Sequence, residues 1–163
     1  MKEIKGDIIK LAIEGKLDVI VHGCNCFCNM GAGIAKSIKA AFPEAYQADL
    51  KTVKGSRTKL GTIGYAEIKK ANHKIIIVNA YTQYNYKGRG RQVDYDAMKS
   101  CFKEIKEKFS GLKICFPKIG AGLAGGDWET ISKIIESELA GEDCTLVTYK
   151  PLNNNKMFNW IRW

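Results

Sequence analysis

Three features of the chain predict an α/β fold with a mostly parallel sheet. Short apolar runs of strand length alternate with stretches of helical period from end to end. Two of those runs, Val19-Ile20-Val21 and Ile114-Cys115-Phe116, lead into glycine-rich segments that are followed by helical spacing. No repeat, low-complexity tract or linker divides the 163 residues, which suffice for one core.

Residues 1–5 read as a short first strand. Asp7 is a good N-cap for a helix carrying Ile8, Leu11 and Ala12, which Gly15 ends. Asp18 leads into a strand over 19–24, a loop over 25–30 and a helix over 33–42 with Ile34, Ile38 and Ala41/Phe42 on one face. Pro43 stops that helix. A further helical turn or two is expected within 44–52, then a loop at 54–57. Strands follow over 62–68 and 75–81, with Asn72-His73 as their turn. Residues 82–91 are polar, basic and glycine-containing, which predicts an exposed loop. The clearest helix spans 94–109, where Tyr95, Met98, Phe102, Ile105 and Phe109 recur three and four apart. Gly111 ends it. A buried strand at 114–116 is followed by Pro117 and by the second glycine segment. Asp127 caps a helix carrying Trp128, Ile131, Ile135 and Leu139, and the last strand covers 144–149. The tail from Pro151 departs from this alternation, and its Phe158, Trp160 and Trp163 are expected to pack back on the domain or on a partner.

Lysine and arginine outnumber acids 26 to 17, giving a formal charge of +9 that favours anionic partners. Lys99, Lys103, Lys106 and Lys108 fall on the outer face of a predicted helix, where they serve solubility. Only Lys87-Gly88-Arg89-Gly90-Arg91 forms a compact basic cluster. Aromatic residues do not interleave with the charges as they do in single-strand binding platforms, so nucleic acid is a secondary candidate partner. No apolar stretch approaches the ~20 residues of a membrane helix, and the N-terminus lacks the apolar centre of a signal peptide. A cytoplasmic monomer without a membrane partner is expected. Its six cysteines should be reduced thiols. The alternation Cys24-Asn25-Cys26-Phe27-Cys28 has no second ligand pair at zinc spacing, and no metal is expected.

The first glycine segment, Met30-Gly31-Ala32-Gly33-Ile34, admits two readings. Its backbone N–H groups and the following helix dipole can hold phosphate, or the glycines merely let the chain turn. A second segment of the same design, Gly120-Ala121-Gly122-Leu123-Ala124-Gly125-Gly126, favours the first reading, because two such loops at strand ends can clamp a diphosphate from both sides. Neither contains the lysine and hydroxyl of a P-loop, which argues against magnesium-dependent triphosphate hydrolysis.

Gly6-Asp7-Ile8, then Gly23-Cys24-Asn25 with Met30-Gly31-Ala32-Gly33-Ile34-Ala35, then Pro117-Lys118-Ile119-Gly120-Ala121-Gly122-Leu123 resemble, in this order and spacing, the macrodomain family. The resemblance covers residues 1–152 as one domain and leaves 153–163 as an aromatic tail. It implies a three-layer α/β/α sandwich around a mixed, mostly parallel sheet, with ADP-ribose or a derivative as ligand and no cofactor. Carried over by position, Asp7 would accept from the adenine amino group, with Ile8 against the base. Asn25 would contact the distal ribose. Met30, Gly31, Ala32, Gly33 and Ile34, with Ile119, Gly120, Ala121, Gly122 and Leu123, would hold the two phosphates through their backbone.

The family branch that strips ADP-ribose from macromolecules with a lysine and an aspartate carries its acid where this chain has Ala124, and residues 78–83 offer no counterpart of the lysine. The long asparagine-rich first loop of another hydrolase branch is absent as well. The strand end His22-Gly23-Cys24-Asn25 and the short first loop are more similar to the small ADP-ribose 1″-phosphate phosphatases. Asn25, Asn79, Asp127 and His22 are then the candidate catalytic residues. Removal of ADP-ribose from protein or nucleic acid, and capture of ADP-ribose without turnover, are the alternatives.

Overall fold

A computed structural model of the protein describes residues 1–150; the tail at 153–163 and its expected packing lie outside the described residues. Six strands form one sheet: β1 (Lys2–Lys5), β2 (Val19–Asn25), β3 (Ile63–Lys70), β4 (His73–Gln83), β5 (Ile114–Phe116) and β6 (Cys144–Thr148). Their order is β1-β6-β5-β2-β4-β3, parallel throughout except for the antiparallel pairing of β3 with β4. A two-residue turn at Ala71-Asn72 joins that last pair, and a connection so short can only reverse direction. His73, expected in the turn, instead begins β4 and donates through Nε2 to the Ala12 carbonyl at 2.9 Å.

Side-chain alternation divides the core into two layers. Val19 and Val21 of β2 with Ile76, Val78 and Ala80 of β4 face α4 (Tyr95–Phe109) and α5 (Trp128–Glu138). Ile20 of β2 with Ile75 and Ile77 of β4 face α1 (Ile8–Ile13), α2 (Gly33–Ala41) and α3 (Pro43–Leu50). The molecule is therefore the three-layer sandwich that the motif resemblance implies. On α4 the predicted stripe is realised: Met98, Phe102, Ile105 and Phe109 are buried, and Asp94 caps the helix by accepting from the Ala97 N–H.

Pro43 does more than stop α2. It occupies the first turn of α3, where its missing N–H costs nothing, so one residue ends a helix and begins the next. All six cysteines are buried and free. Burial pushes the thiols of Cys24 and Cys101 upward, and that of Cys115 to about 12. Among the described residues, no helix is long and apolar enough to cross a membrane, and no three His, Cys, Asp or Glu side chains come together as a metal site.

Candidate functional site

Because β1, β6, β5, β2 and β4 are parallel, they end on one edge of the sheet, where a cavity of about 580 Å³ lies across their ends. That volume is in the range of small-molecule sites, about 300–1,000 Å³. Gly6, Ile8, Val147 and Thr148 wall the β1/β6 end, Gln83 and Tyr86 the β4 end, and the two glycine loops the middle.

The first loop is shaped by Asn25 at the end of β2. Its Oδ1 accepts from the N–H groups of Phe27 (2.9 Å) and Asn29 (3.3 Å), while Nδ2 donates to the Asn29 carbonyl (2.8 Å). Asn29 Oδ1 then accepts from the Gly31 N–H at 3.0 Å. This relay of asparagines delivers the chain to Ala32, whose extended backbone precedes α2 without a capping side chain. Gly33, Ile34 and Ala35 line the cavity there, so the helix's first N–H groups are offered to its contents. The second loop supplies Lys118 to Ala124 from the opposite wall. Gly120 holds φ +75°, and a Cβ on Gly126 would lie 2.6 Å from the Gly120 carbonyl oxygen. Gly122 differs: a Cβ there meets nothing within 4 Å. Leu123 is 81% exposed yet leans toward the first loop, its Cδ1 3.7 Å from where a Cβ on Gly33 would stand.

Two polar clusters lie beneath these loops. His22 and Asn79 are register neighbours on β2 and β4, both fully buried. Asn79 Nδ2 donates to the Ala45 carbonyl at 2.9 Å, which leaves Oδ1 to accept from His22 Nε2 at 2.7 Å. Burial lowers the histidine's pKa, and the asparagine only partly offsets it. The second cluster centres on Lys59, in a 3₁₀ turn over Arg57–Lys59. Its Nζ donates to the Cys26 carbonyl (3.3 Å) and Cys28 Sγ (3.5 Å), lies 3.6 Å from Asp49 Oδ1, and sits over the Tyr81 ring. Tyr81 donates its hydroxyl to the same Asp49 oxygen at 2.8 Å, so loop 25–30 is pinned to α3 and β4.

A family model, the Macro domain, matches residues 21–135. The chain belongs to the macrodomain family. An uncharacterized 17.5 kDa protein of the tk–vs intergenic region of enterobacteria phage T4 is 38% identical over 93% of this chain and 98% of its own. An ADP-ribose 1″-phosphate phosphatase of Candida albicans is 27% identical over 82% of this chain and 90% of its own. A DNA ADP-ribosyl glycohydrolase of Thermus aquaticus is 26% identical over 96% of this chain, which spans only 42% of that protein. Among solved structures, Thermosipho africanus DarTG in complex with ADP-ribose superposes with a TM-score of 0.71 at 18% identity, over 96% of this chain and 43% of that one.

Within this macrodomain, the residues singled out from the sequence separate into two groups. Ile8, Asn25, Ala32, Gly33, Ile34 and the run from Ile119 to Leu123 line the cavity together. Met30 and Gly31 belong to the first loop but not to the lining; Met30 is buried behind it with Cys24, Cys26 and Tyr81. Asp7 caps α1, its Oδ1 accepting from Ile9 (2.9 Å) and Lys10 (3.2 Å), while its neighbours Gly6 and Ile8 form the wall. His22 and Asn79 lie under the floor. Asp127 is away from the cavity at the start of α5, where the Thr130 hydroxyl and N–H donate to its Oδ2 and hold the carboxyl below its ordinary range. The geometry adds Asn29, Gln83, Tyr86, Lys118, Thr148 and Tyr149 to the lining. Gln83, Thr148 and Tyr149 could have been found by taking every residue at the exit of a parallel strand.

Proposed function

We propose that the protein binds ADP-ribose along this cavity and hydrolyses a phosphate from its distal ribose, converting ADP-ribose 1″-phosphate to ADP-ribose and inorganic phosphate. The reading is carried by the two loops on adjacent strands β2 and β5, which face each other across one cavity with uncapped N–H groups on the α2 side. The apolar β1/β6 end suits adenine, with Ile8 and Val147 against the base and the outer oxygen of Asp7 toward its amino group. The diphosphate then lies between the start of α2 and the backbone of Gly120 to Leu123. The distal ribose reaches Asn25, Asn29 and Gln83, where Asn25 Nδ2 retains one hydrogen beyond its bond to Asn29.

The chemistry of the lining favours phosphate as the leaving group. Among the described residues, the cavity walls carry no carboxylate, imidazole or thiol, and their acid–base side chains are Lys118, Tyr86 and Tyr149, so a leaving group that needs little protonation suits the lining best. A phosphate ester that carries one proton departs as the HPO4²⁻ dianion, a far weaker base than an alkoxide or amine, and asks for no such acid. Water adds its oxygen to C1″, the C1″–O bond breaks with its electron pair on the phosphate, and the surplus proton goes to solvent. Backbone N–H groups and amide side chains stabilise the charge that develops. His22 and Asn79 act by stiffening the strand ends that carry Asn25 and Gln83, and Asp127 by fixing the start of α5 behind the second loop. The Candida albicans and Thermus aquaticus relatives, named for hydrolysis of ADP-ribose derivatives, support this class of reaction.

Incubation with ADP-ribose 1″-phosphate, without added metal, should release inorganic phosphate. Absence of release at saturating substrate overturns the phosphatase, and tight ADP-ribose binding in that case would leave a capture module.

A further inference from the structure

β2 and β4 run in register from Val19 opposite Ile76 to Cys24 opposite Tyr81, and then slip by one, so that Asn25 pairs with Gln83. Thr82 is the extra residue, and a bulge of this kind re-aims a side chain beside a site. Its backbone is engaged, the carbonyl accepting from the Asp94 N–H at 2.8 Å. Its hydroxyl is not. Thr82 is fully buried, and its Oγ1 has no hydrogen-bond partner among the described residues. Such an orphan costs stability that a valine of the same shape would recover, so its presence calls for a reason.

The surroundings of Oγ1 supply a direction. A Cβ on Gly23 would stand 3.0 Å from it and 3.3 Å from Ile119 Cγ1. Gly23 lies inside β2 and does not hold a positive φ, so its backbone alone would accept any residue. Glycine within a strand marks a close approach instead. The omitted side chain leaves a notch between Thr82 and the cavity, because Gly23 and Ile119 both line the cavity. Asn25 and Gln83, which pair just past the bulge, line it too. The hydroxyl therefore lies under the floor on which the distal ribose rests.

We propose that Thr82 holds the water that attacks C1″. The proposal rests on the reading of the cavity as a site for C1″-phosphate hydrolysis, and adds the group that fixes the nucleophile. The water enters the notch at Gly23 as the Ile119 side chain turns to another rotamer. There it donates a hydrogen bond to Thr82 Oγ1, which keeps its own proton, and a lone pair of the water oxygen faces C1″. The bond from that oxygen to C1″ forms, and the bond from C1″ to the phosphate oxygen breaks with its pair on the phosphate. One proton of the adding water goes to solvent. A hydroxyl can accept this hydrogen bond while staying neutral, whereas a carboxylate in its place would repel the anionic substrate.

The test is steady-state turnover of ADP-ribose 1″-phosphate by Thr82→Val, Thr82→Ser and Gly23→Ala, with ADP-ribose affinity by calorimetry and the melting temperature measured on the same samples. Thr82→Val should lower kcat by roughly ten- to a hundredfold, the scale of a misplaced reacting group, with KM and ADP-ribose affinity unchanged. Its melting temperature should hold or rise, because the orphaned hydroxyl is gone. Thr82→Ser should restore most of kcat. Gly23→Ala should lower kcat as Thr82→Val does, since its Cβ fills the notch. Unchanged kcat in Thr82→Val, full kcat in Gly23→Ala, kcat and affinity falling together, or a folded Thr82→Ser variant no faster than Thr82→Val would overturn the proposal while leaving the phosphatase standing. No release of phosphate by the wild-type protein would overturn both.

Discussion

Gly122 and Gly126 are four residues apart and answer to different constraints. Gly126 has no room for a side chain: a Cβ would lie 2.6 Å from the Gly120 oxygen and 2.7 Å from Ile131 Cδ1. Gly126→Ala should therefore destabilise the protein by about 1–3 kcal/mol, the usual cost of overpacking, measured by denaturant unfolding. At Gly122 the added atom points into open space on the cavity wall. Gly122→Val should keep the melting temperature and weaken ADP-ribose binding at least about tenfold, about 1.4 kcal/mol by calorimetry. Unchanged affinity would refute the diphosphate clamp. His22 and Asn79 answer to a buried contact that the sequence does not display. Both residue types suggest chemistry, but Asn79 spends its amide on His22 and Ala45, and the imidazole lies between Asn79 and the Cys24 thiol. Asn79→Ala should cost about 1–3 kcal/mol of stability by orphaning the imidazole, with turnover of the folded fraction retained. Since burial depresses the pKa of His22, the folded protein stays neutral there while the unfolded chain takes up a proton. Stability is therefore unaffected by this group above the ordinary imidazole pKa of about 6.5 and falls as pH drops below it toward the folded value. His22→Asn should flatten that part of the stability–pH curve.

At the scale of elements, the strands and helices were legible because each carries its own signature: an unbroken apolar run of strand length in β2 and β4, a period of three to four in α4 and α5. The two glycine loops were legible for a related reason, since strand exit, glycine run and helix entry are all local. What the sequence could not display is contact between distant segments. Residue 59 reads as one more surface lysine, yet it is 7% exposed and joins loop 25–30 to Asp49 on α3 and to Tyr81 on β4. Lys59→Met should cost about 3–5 kcal/mol, because it strands a buried carboxylate whose other oxygen, Oδ2, already lacks a partner. Activity should fall with it as the first loop loosens. Urea unfolding and kcat/KM on the same samples check both effects. The three-layer arrangement followed from motif resemblance more than from periodicity, and Asn29 went unnoticed because an asparagine in a turn carries no signal of its own.

For the molecule as a whole, five parallel strand ends share one ligand, so occupancy should stabilise the entire sheet. At a hundred times its dissociation constant, ADP-ribose should add about 2.7 kcal/mol and raise the melting temperature by roughly 5–10 °C. AMP, filling only the β1/β6 half, should require higher concentrations for the same shift; equal potency of the two in differential scanning fluorimetry would place the distal ribose outside the cavity. The buried cysteines have a separate, practical consequence. With all six thiols enclosed and several held as the unreactive protonated form, the native protein presents an almost blank background to maleimides and iodoacetamides. A single Arg89→Cys change would then accept a fluorophore selectively at the cavity's rim, turning the wild-type scaffold into an optical reporter of what arrives there.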